Sequence, residues 1–142
     1  MARGVPKRVI EMLRAVPLLS ACSTRELRDV ANLGAHVPVA AGRVLIEQGQ
    51  PGREFFLLVD GKARCLVDGS TVAEFGPGDF FGEMALLEQG PRHATVVADG
   101  PGEVLVLDGR EFDRLLEASP SIARKLLKAF AERERANASI HS

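Results

Sequence analysis

Phe81-Gly82-Glu83-Met84-Ala85-Leu86-Leu87-Glu88-Gln89-Gly90-Pro91-Arg92-His93-Ala94-Thr95-Val96 is the stretch on which the reading of this 142-residue chain turns. Gly82 has no Cβ to keep another group away from its backbone. Glu83 to Leu87 contains good helix formers and no β-branched residue, so a single helical turn is predicted directly after the glycine. A turn that short cannot satisfy its own leading N–H groups, and such an end suits a phosphate-sized anion. Arg92 follows a proline-stiffened spacer and is predicted to head an apolar strand, Ala94 to Ala98. A guanidinium at the head of a core strand needs a partner, because an unpaired buried charge is costly. Either Glu83 is that partner, or an external anion is and the carboxylate accepts something else.

Outward from this stretch, residues 35–108 are cut by glycines into short runs rich in Val, Leu and Phe. Eight strands are predicted, at 35–40, 43–48, 54–60, 62–68, 71–75, 79–82, 92–98 and 103–108. Such spacing suits a closed β-sandwich or roll better than alternating β and α elements. Asp60-Gly61 and Asp68-Gly69 are the strongest hairpin signals, since a tight turn of the favoured hand needs positive φ. On the N-terminal side, Val9, Ile10, Leu13 and Val16 recur near a 3.6 period up to Pro17, and Ser23-Thr24-Arg25-Glu26 reads as a capping box. Leu27, Val30, Ala31 and Leu33 then continue one face to Gly34. On the C-terminal side, Asp108 with Glu111 caps a helix carrying Phe112, Leu115 and Leu116. Ser119-Pro120 opens a second helix with an apolar face of Ile122, Leu126, Leu127 and Phe130, and its polar end from Glu132 is expected to fray.

Composition is that of a globular protein, 46% apolar and 26% charged. The longest apolar run, Phe55 to Val59, is far short of the ~18 residues of a membrane span, and no secretory signal is visible. Cys22 and Cys65 lie apart with no metal-binding spacing, as expected of free thiols in a reducing cytoplasm. The net charge of −1 hides a segregation: residues 1–33 carry +3, residues 34–120 carry −7 and residues 121–142 carry +3. An acidic centre argues against a nucleic-acid surface spread over the chain, and makes any anion site there the work of a few local donors.

The opening stretch resembles the phosphate-binding cassette of the cyclic nucleotide-binding domain family, roughly FGE-[LIM]-A-L-L, a spacer, then PR-x-A-[ST]. Phe81, Gly82, Glu83, Met84, Ala85, Leu86, Leu87, Pro91, Arg92, Ala94 and Thr95 fill its positions. The resemblance implies a mainly β fold with flanking helices. Its parts would be N-terminal helices over 1–34, an eight-stranded β-roll (a jelly-roll-like double-stranded β-helix) over 35–108 with the cassette at 81–95, a short phosphate-binding helix, and two C-terminal hinge and lid helices over 109–136. It also implies a ligand, a 3′,5′-cyclic nucleotide. Arg92 would pair with an equatorial phosphate oxygen, Glu83 would accept the ribose 2′-hydroxyl, Gly82 would help seat the sugar, and the N–H groups near Met84 and Ala85 would meet the phosphate. Ala73, Phe75, Cys65 and Val67 would flank the base, and Leu127, Phe130 or Ala131 would close over the pocket. His93 departs from the pattern. Where the family carries threonine after the arginine, cGMP is preferred, and histidine removes that argument, so cAMP is favoured over cGMP. A charged His93 ring facing the phosphate, beside Ala94, would make affinity rise as pH falls.

The function implied is that of a regulatory sensor rather than an enzyme. It would act through the C-terminal helices on a protein partner or in a homodimer, with no membrane association. Only a few residues follow Phe130, so the DNA-reading domain of catabolite-activator-like relatives is not expected. Two other functions fit less well. A cupin-like enzyme would need clustered metal ligands, and His36, His93 and His141 form no such pair. A protein-interaction domain with a relic cassette would retain a buried arginine to no purpose. Blander roles compete at single positions: an internal Arg92–Glu83 salt bridge, a solvent-facing His93, Phe75 and Cys65 as core, and the basic face of the last helix as solvated surface.

Overall fold

The computed structural model describes residues 6–83, 86 and 90–141, with side chains described through Glu132. The chain begins with helix α1 (Lys7–Arg14), a 3-10 turn (Pro17–Leu19) and helix α2 (Thr24–Ala31). Eight strands follow: β1 (Ala35–Val39), β2 (Val44–Ile46), β3 (Phe55–Asp60), β4 (Ala63–Val67), β5 (Ser70–Phe75), β6 (Phe80–Phe81), β7 (Thr95–Ala98) and β8 (Gly102–Leu107). Helices α3 (Gly109–Ala118) and α4 (Pro120–His141) close the chain, α4 continuing past the expected end at residue 136 and through the stretch expected to fray. The expected capping boxes are present, Ser23 exchanging bonds with Glu26 and Asp108 with Glu111. At the head of α4 the Ser119 hydroxyl accepts from the Ser121 N–H at 3.2 Å.

All eight predicted strands form, and they pair antiparallel in two four-stranded sheets ordered β1-β8-β3-β6 and β2-β7-β4-β5. This is the expected β-roll with helices at both ends. Strand residues alternate between two apolar clusters, as a period of two requires. Phe55, Leu57, Val59 and Phe80 face the helices, packing with Leu13, Leu27, Phe112, Ile122 and Leu126. Phe56, Leu58 and Phe81 face the interior of the roll with Ile46, Ala63, Val96 and Val104. Paired rings mark each side, Phe55 on Phe80 at 5.6 Å and Phe56 on Phe81 at 5.3 Å between centroids. Such a pair contributes about 0.5–1.5 kcal/mol beyond the area it buries.

Two sequence expectations are corrected here. Asp68-Gly69 does join a hairpin, with Val67 opposite Ser70 and both turn residues at positive φ, 52° and 84°. Asp60-Gly61 does not, because β3 and β4 belong to different sheets. There the chain crosses from one sheet to the other, passing so close to Gly102 that a Cβ on Gly102 would lie 2.3 Å from the Asp60 carbonyl oxygen. The seventh strand starts at Thr95 rather than residue 92. Residues 91 and 92 pair instead with the loop before β3: Pro51 bridges Pro91, the Gly49 N–H donates to the Arg92 carbonyl, and the Arg92 N–H donates to the Gln50 carbonyl, both at 2.9 Å.

Candidate functional site

That strapped segment carries the arginine. Arg92 is only 9% exposed, and its guanidinium donates from Nη1 to the Gly82 carbonyl at 3.2 Å and from Nη2 to the Glu54 carbonyl at 3.0 Å. Among the described residues it forms no ion pair within 4 Å. Burial pushes the guanidinium down from its ordinary value, opposed by the carboxylates of Glu54 and then Glu83. It stays charged, since a guanidinium does not deprotonate in a protein. The outcome, among the described residues, is a desolvated positive charge whose hydrogen bonds, two of a possible five, go to neutral carbonyl oxygens.

Gly82 is required twice over. Its φ is +89°, and a Cβ there would lie 2.5 Å from the Glu54 carbonyl oxygen and 3.3 Å from the side chains of Ile46 and Phe56. The backbones of residues 82 and 54 can therefore come together only without a side chain at 82, and their carbonyls are the two that grip Arg92. Gly52 forms the floor beneath the same group: a Cβ at 52 would meet Arg92 Nε at 2.7 Å, Nη2 at 2.9 Å and Cζ at 3.1 Å. Sequence reasoning missed Gly52 and Glu54. The signal available was the Gly49-Gln50-Pro51-Gly52 run, a turn with a glycine at each end, but nothing in it pointed to residue 92.

Glu83 is buried, 5% exposed, beside this arrangement. The Leu86 N–H donates to its carbonyl at 3.1 Å, as the start of a helical turn would require. Met84 and Ala85, expected to present N–H groups to a phosphate, lie outside the described residues, and so does the rest of the expected short helix. His93 is exposed, Ala94 is half-buried, and the Thr95 hydroxyl accepts from the Gln48 N–H at 2.9 Å. The expected base wall is assembled on one hairpin, with Cys65 opposite Ala73, Ala63 opposite Phe75, and Val67 at the turn. All four expected wall residues are half-buried. Phe75 stacks on Phe81 at 5.1 Å and 18°, extending the aromatic column inside the roll. The expected lid residues are all on helix α4. Leu127 is 67% exposed, while Phe130 meets Phe80 edge-on at 6.2 Å, with Phe80 on the helix-facing side of the strands. Ala131 is exposed.

Arg92 also lines a cleft of about 330 Å³ with Val44 to Glu47, Gln50, Pro51, Gly52 and Glu54. Among the described expected ligand residues it is the one that does so, and the cleft therefore opens onto the arginine's seat. Among the described residues no group of three or more His, Cys, Asp or Glu could hold a metal ion, and no helix is long and apolar enough to cross a membrane.

The profile of the family described as Cyclic nucleotide-binding domain matches residues 36–119, which take in both sheets and the whole arginine seat. The chain belongs to this family. It is 35% identical over 113 residues to a cAMP-dependent protein kinase regulatory subunit of Hypocrea atroviridis, covering 80% of this chain and 24% of that protein. It is 36% identical over 137 residues to a cyclic nucleotide-gated potassium channel of Mesorhizobium japonicum, covering 96% and 38%. Among solved structures it superposes on Thermus thermophilus catabolite activator protein with a TM-score of 0.76 and 30% identity, over 88% of this chain and 62% of that one. The chain thus spans between about a quarter and two fifths of the curated relatives named.

Proposed function

We propose that this domain binds a 3′,5′-cyclic nucleotide, cAMP in preference to cGMP, as a sensor without catalytic activity of its own. The observation that carries the reading is the guanidinium of Arg92, buried yet held by carbonyls and not by a carboxylate. A singly charged cyclic phosphodiester supplies a directly hydrogen-bonded negative charge in a form that guanidinium donors match. The acidic surroundings would repel an anion at longer range, so the affinity rests on this local contact. Glu83, buried next to the seat, accepts the ribose 2′-hydroxyl, and the hairpin of Cys65, Val67, Ala73 and Phe75 flanks the base. The preference for cAMP rests on position 93, where an exposed histidine stands in place of a hydroxyl able to bond guanine.

Output runs through the C-terminal helices to a protein partner or a second copy. Helix α4 is docked against the N-terminal 3-10 turn by Lys125, whose Nζ donates to the Pro17 carbonyl at 2.8 Å and the Ser20 hydroxyl at 2.7 Å, and against strand β6 by Phe130 on Phe80. A ligand shifts that helix only to the extent that it binds the displaced arrangement better. Calorimetric titration of the parent and Arg92→Ala with cAMP and cGMP tests the reading. Loss of about 2–5 kcal/mol of binding is expected, the range for truncating one partner of a buried charged pair. Equal binding by parent and variant would place the phosphate elsewhere. In the parent, 2′-deoxy-cAMP should bind more weakly than cAMP, and Glu83→Gln should narrow that gap.

A further inference from the structure

Gln48 stands outside every role assigned so far, and its hydrogen bonds join the arginine segment to the tip of the β4–β5 hairpin. Its main-chain N–H donates to the Thr95 hydroxyl at 2.9 Å, at the end of the arginine segment. Its side-chain amide faces Asp68 twice: Nε2 donates to the Asp68 carboxylate at 2.9 Å, and Oε1 accepts the Asp68 main-chain N–H at 2.9 Å. The orientation of the amide is not ambiguous, because a carboxylate can only accept and a peptide N–H can only donate. Residues 49 and 50, next in the chain, make the two main-chain bonds to Arg92.

Asp68 is the first residue of the β4–β5 turn and, among the described residues, the one non-glycine with positive φ. Its N–H is not used by the strand ladder, so the bond to Gln48 satisfies a donor that would otherwise turn to water. The turn also projects past its neighbour. The β4–β7 ladder ends at the pair Leu66–Thr95, and β5 is an edge strand paired only with β4. The tip of the hairpin that carries Val67, Cys65, Ala73 and Phe75 is thus tied to the body of the roll through Gln48.

We infer that Gln48 is a positioning residue that locks the β4–β5 hairpin to the Arg92 segment, so that the seat for phosphate and the wall for the base are held in one register. The inference rests on the cyclic nucleotide reading above and adds how its two halves are coupled. Exchanging the hydrogen-bonding roles of the two side chains tests it. Gln48→Glu sets a carboxylate against the Asp68 carboxylate and should weaken cAMP binding by roughly three- to tenfold, the equivalent of one lost hydrogen bond. Asp68→Asn keeps an acceptor for the Gln48 amide and tolerates the left-handed backbone, so its affinity should stay within about twofold of the parent. The double variant restores a donor on residue 68 to a carboxylate on residue 48, and should return binding to within about twofold of the parent. A general loss of fold would not be rescued this way, and thermal melts of all four proteins separate the two effects. Unchanged binding in Gln48→Glu, or a double variant as weak as Gln48→Glu, overturns the inference while leaving the function reading intact. A parent that binds neither cAMP nor cGMP overturns that reading and this inference with it.

Discussion

Replacing Gly52 by alanine isolates the seat of Arg92 from the charge it holds. The position has no left-handed φ, so the backbone accepts alanine, and the nearest atoms to the new methyl group all belong to the end of one side chain. With Nε at 2.7 Å, the guanidinium has to withdraw by about 0.7 Å to reach ordinary contact. Its bonds to the Glu54 and Gly82 carbonyls, now 3.0 and 3.2 Å, would stretch beyond hydrogen-bonding range if the retreat runs along them. One charge-assisted bond lost from the bound arrangement corresponds to about 1.5–3 kcal/mol, or a ten- to hundredfold weaker Kd for cAMP. Fold stability should change by less than about 1 kcal/mol, because the smaller entropy of the unfolded alanine chain offsets part of the strain. Calorimetry measures the first quantity and urea unfolding the second. A folded Gly52→Ala protein that binds cAMP as tightly as the parent, while Arg92→Ala does not, would refute the idea that the precise placement of the guanidinium sets affinity.

Gly82→Ala should act on both quantities, since it combines a left-handed backbone with a 2.5 Å approach to the Glu54 carbonyl oxygen; a loss of about 2–4 kcal/mol in urea unfolding is expected, with binding abolished. Glu26 is held below the usual carboxylate range, first by the Ser23 N–H, so its capping contribution is present above the ordinary carboxylate range and fades as pH falls through the lowered value. Glu26→Gln should therefore flatten the acid limb of a stability-against-pH curve, and an unchanged limb would count against the cap. Burial pushes the Cys22 thiol up, so it should resist iodoacetamide at neutral pH until the protein is unfolded; rapid labelling of the native protein would contradict its packing. Phe130→Ala removes the edge contact to Phe80 and should cost about 1–2 kcal/mol of stability. Cyclic nucleotide affinity should change as well if α4 moves on binding, and an affinity equal to the parent's would remove this helix from the response.

The strands were legible because glycines punctuate them and because Phe55 to Val59 alternates between two buried faces; a run buried on both sides needs no polar residue. Helix starts were legible because capping boxes are local, four residues from end to end. What escaped was set by contacts remote in sequence. The sequence points to acids and anions as partners of Arg92, whereas one partner is the carbonyl of Glu54, a main-chain atom 38 residues away that any residue could supply. The start of β7 was misplaced for a related reason, since residues 91 and 92 are claimed by the loop before β3. On α4, Ile122, Leu126 and Phe130 share a line at intervals of four, while Leu127 is rotated off it and faces solvent, a distinction too fine for a count of apolar residues.

Strand β6 is two residues long, and its side chains point in opposite directions. Phe81 belongs to the interior column and precedes the glycine whose carbonyl holds Arg92, while Phe80 lies on the far side of the sheet and carries the ring of Phe130. Only one peptide bond separates these tasks. The segment that grips the arginine and the ring contact that seats the C-terminal helix are thus adjacent in the chain, and both residues are paired with β3. A substitution at either phenylalanine would therefore touch both the anion seat and the helix dock, so the two cannot be altered independently at this strand.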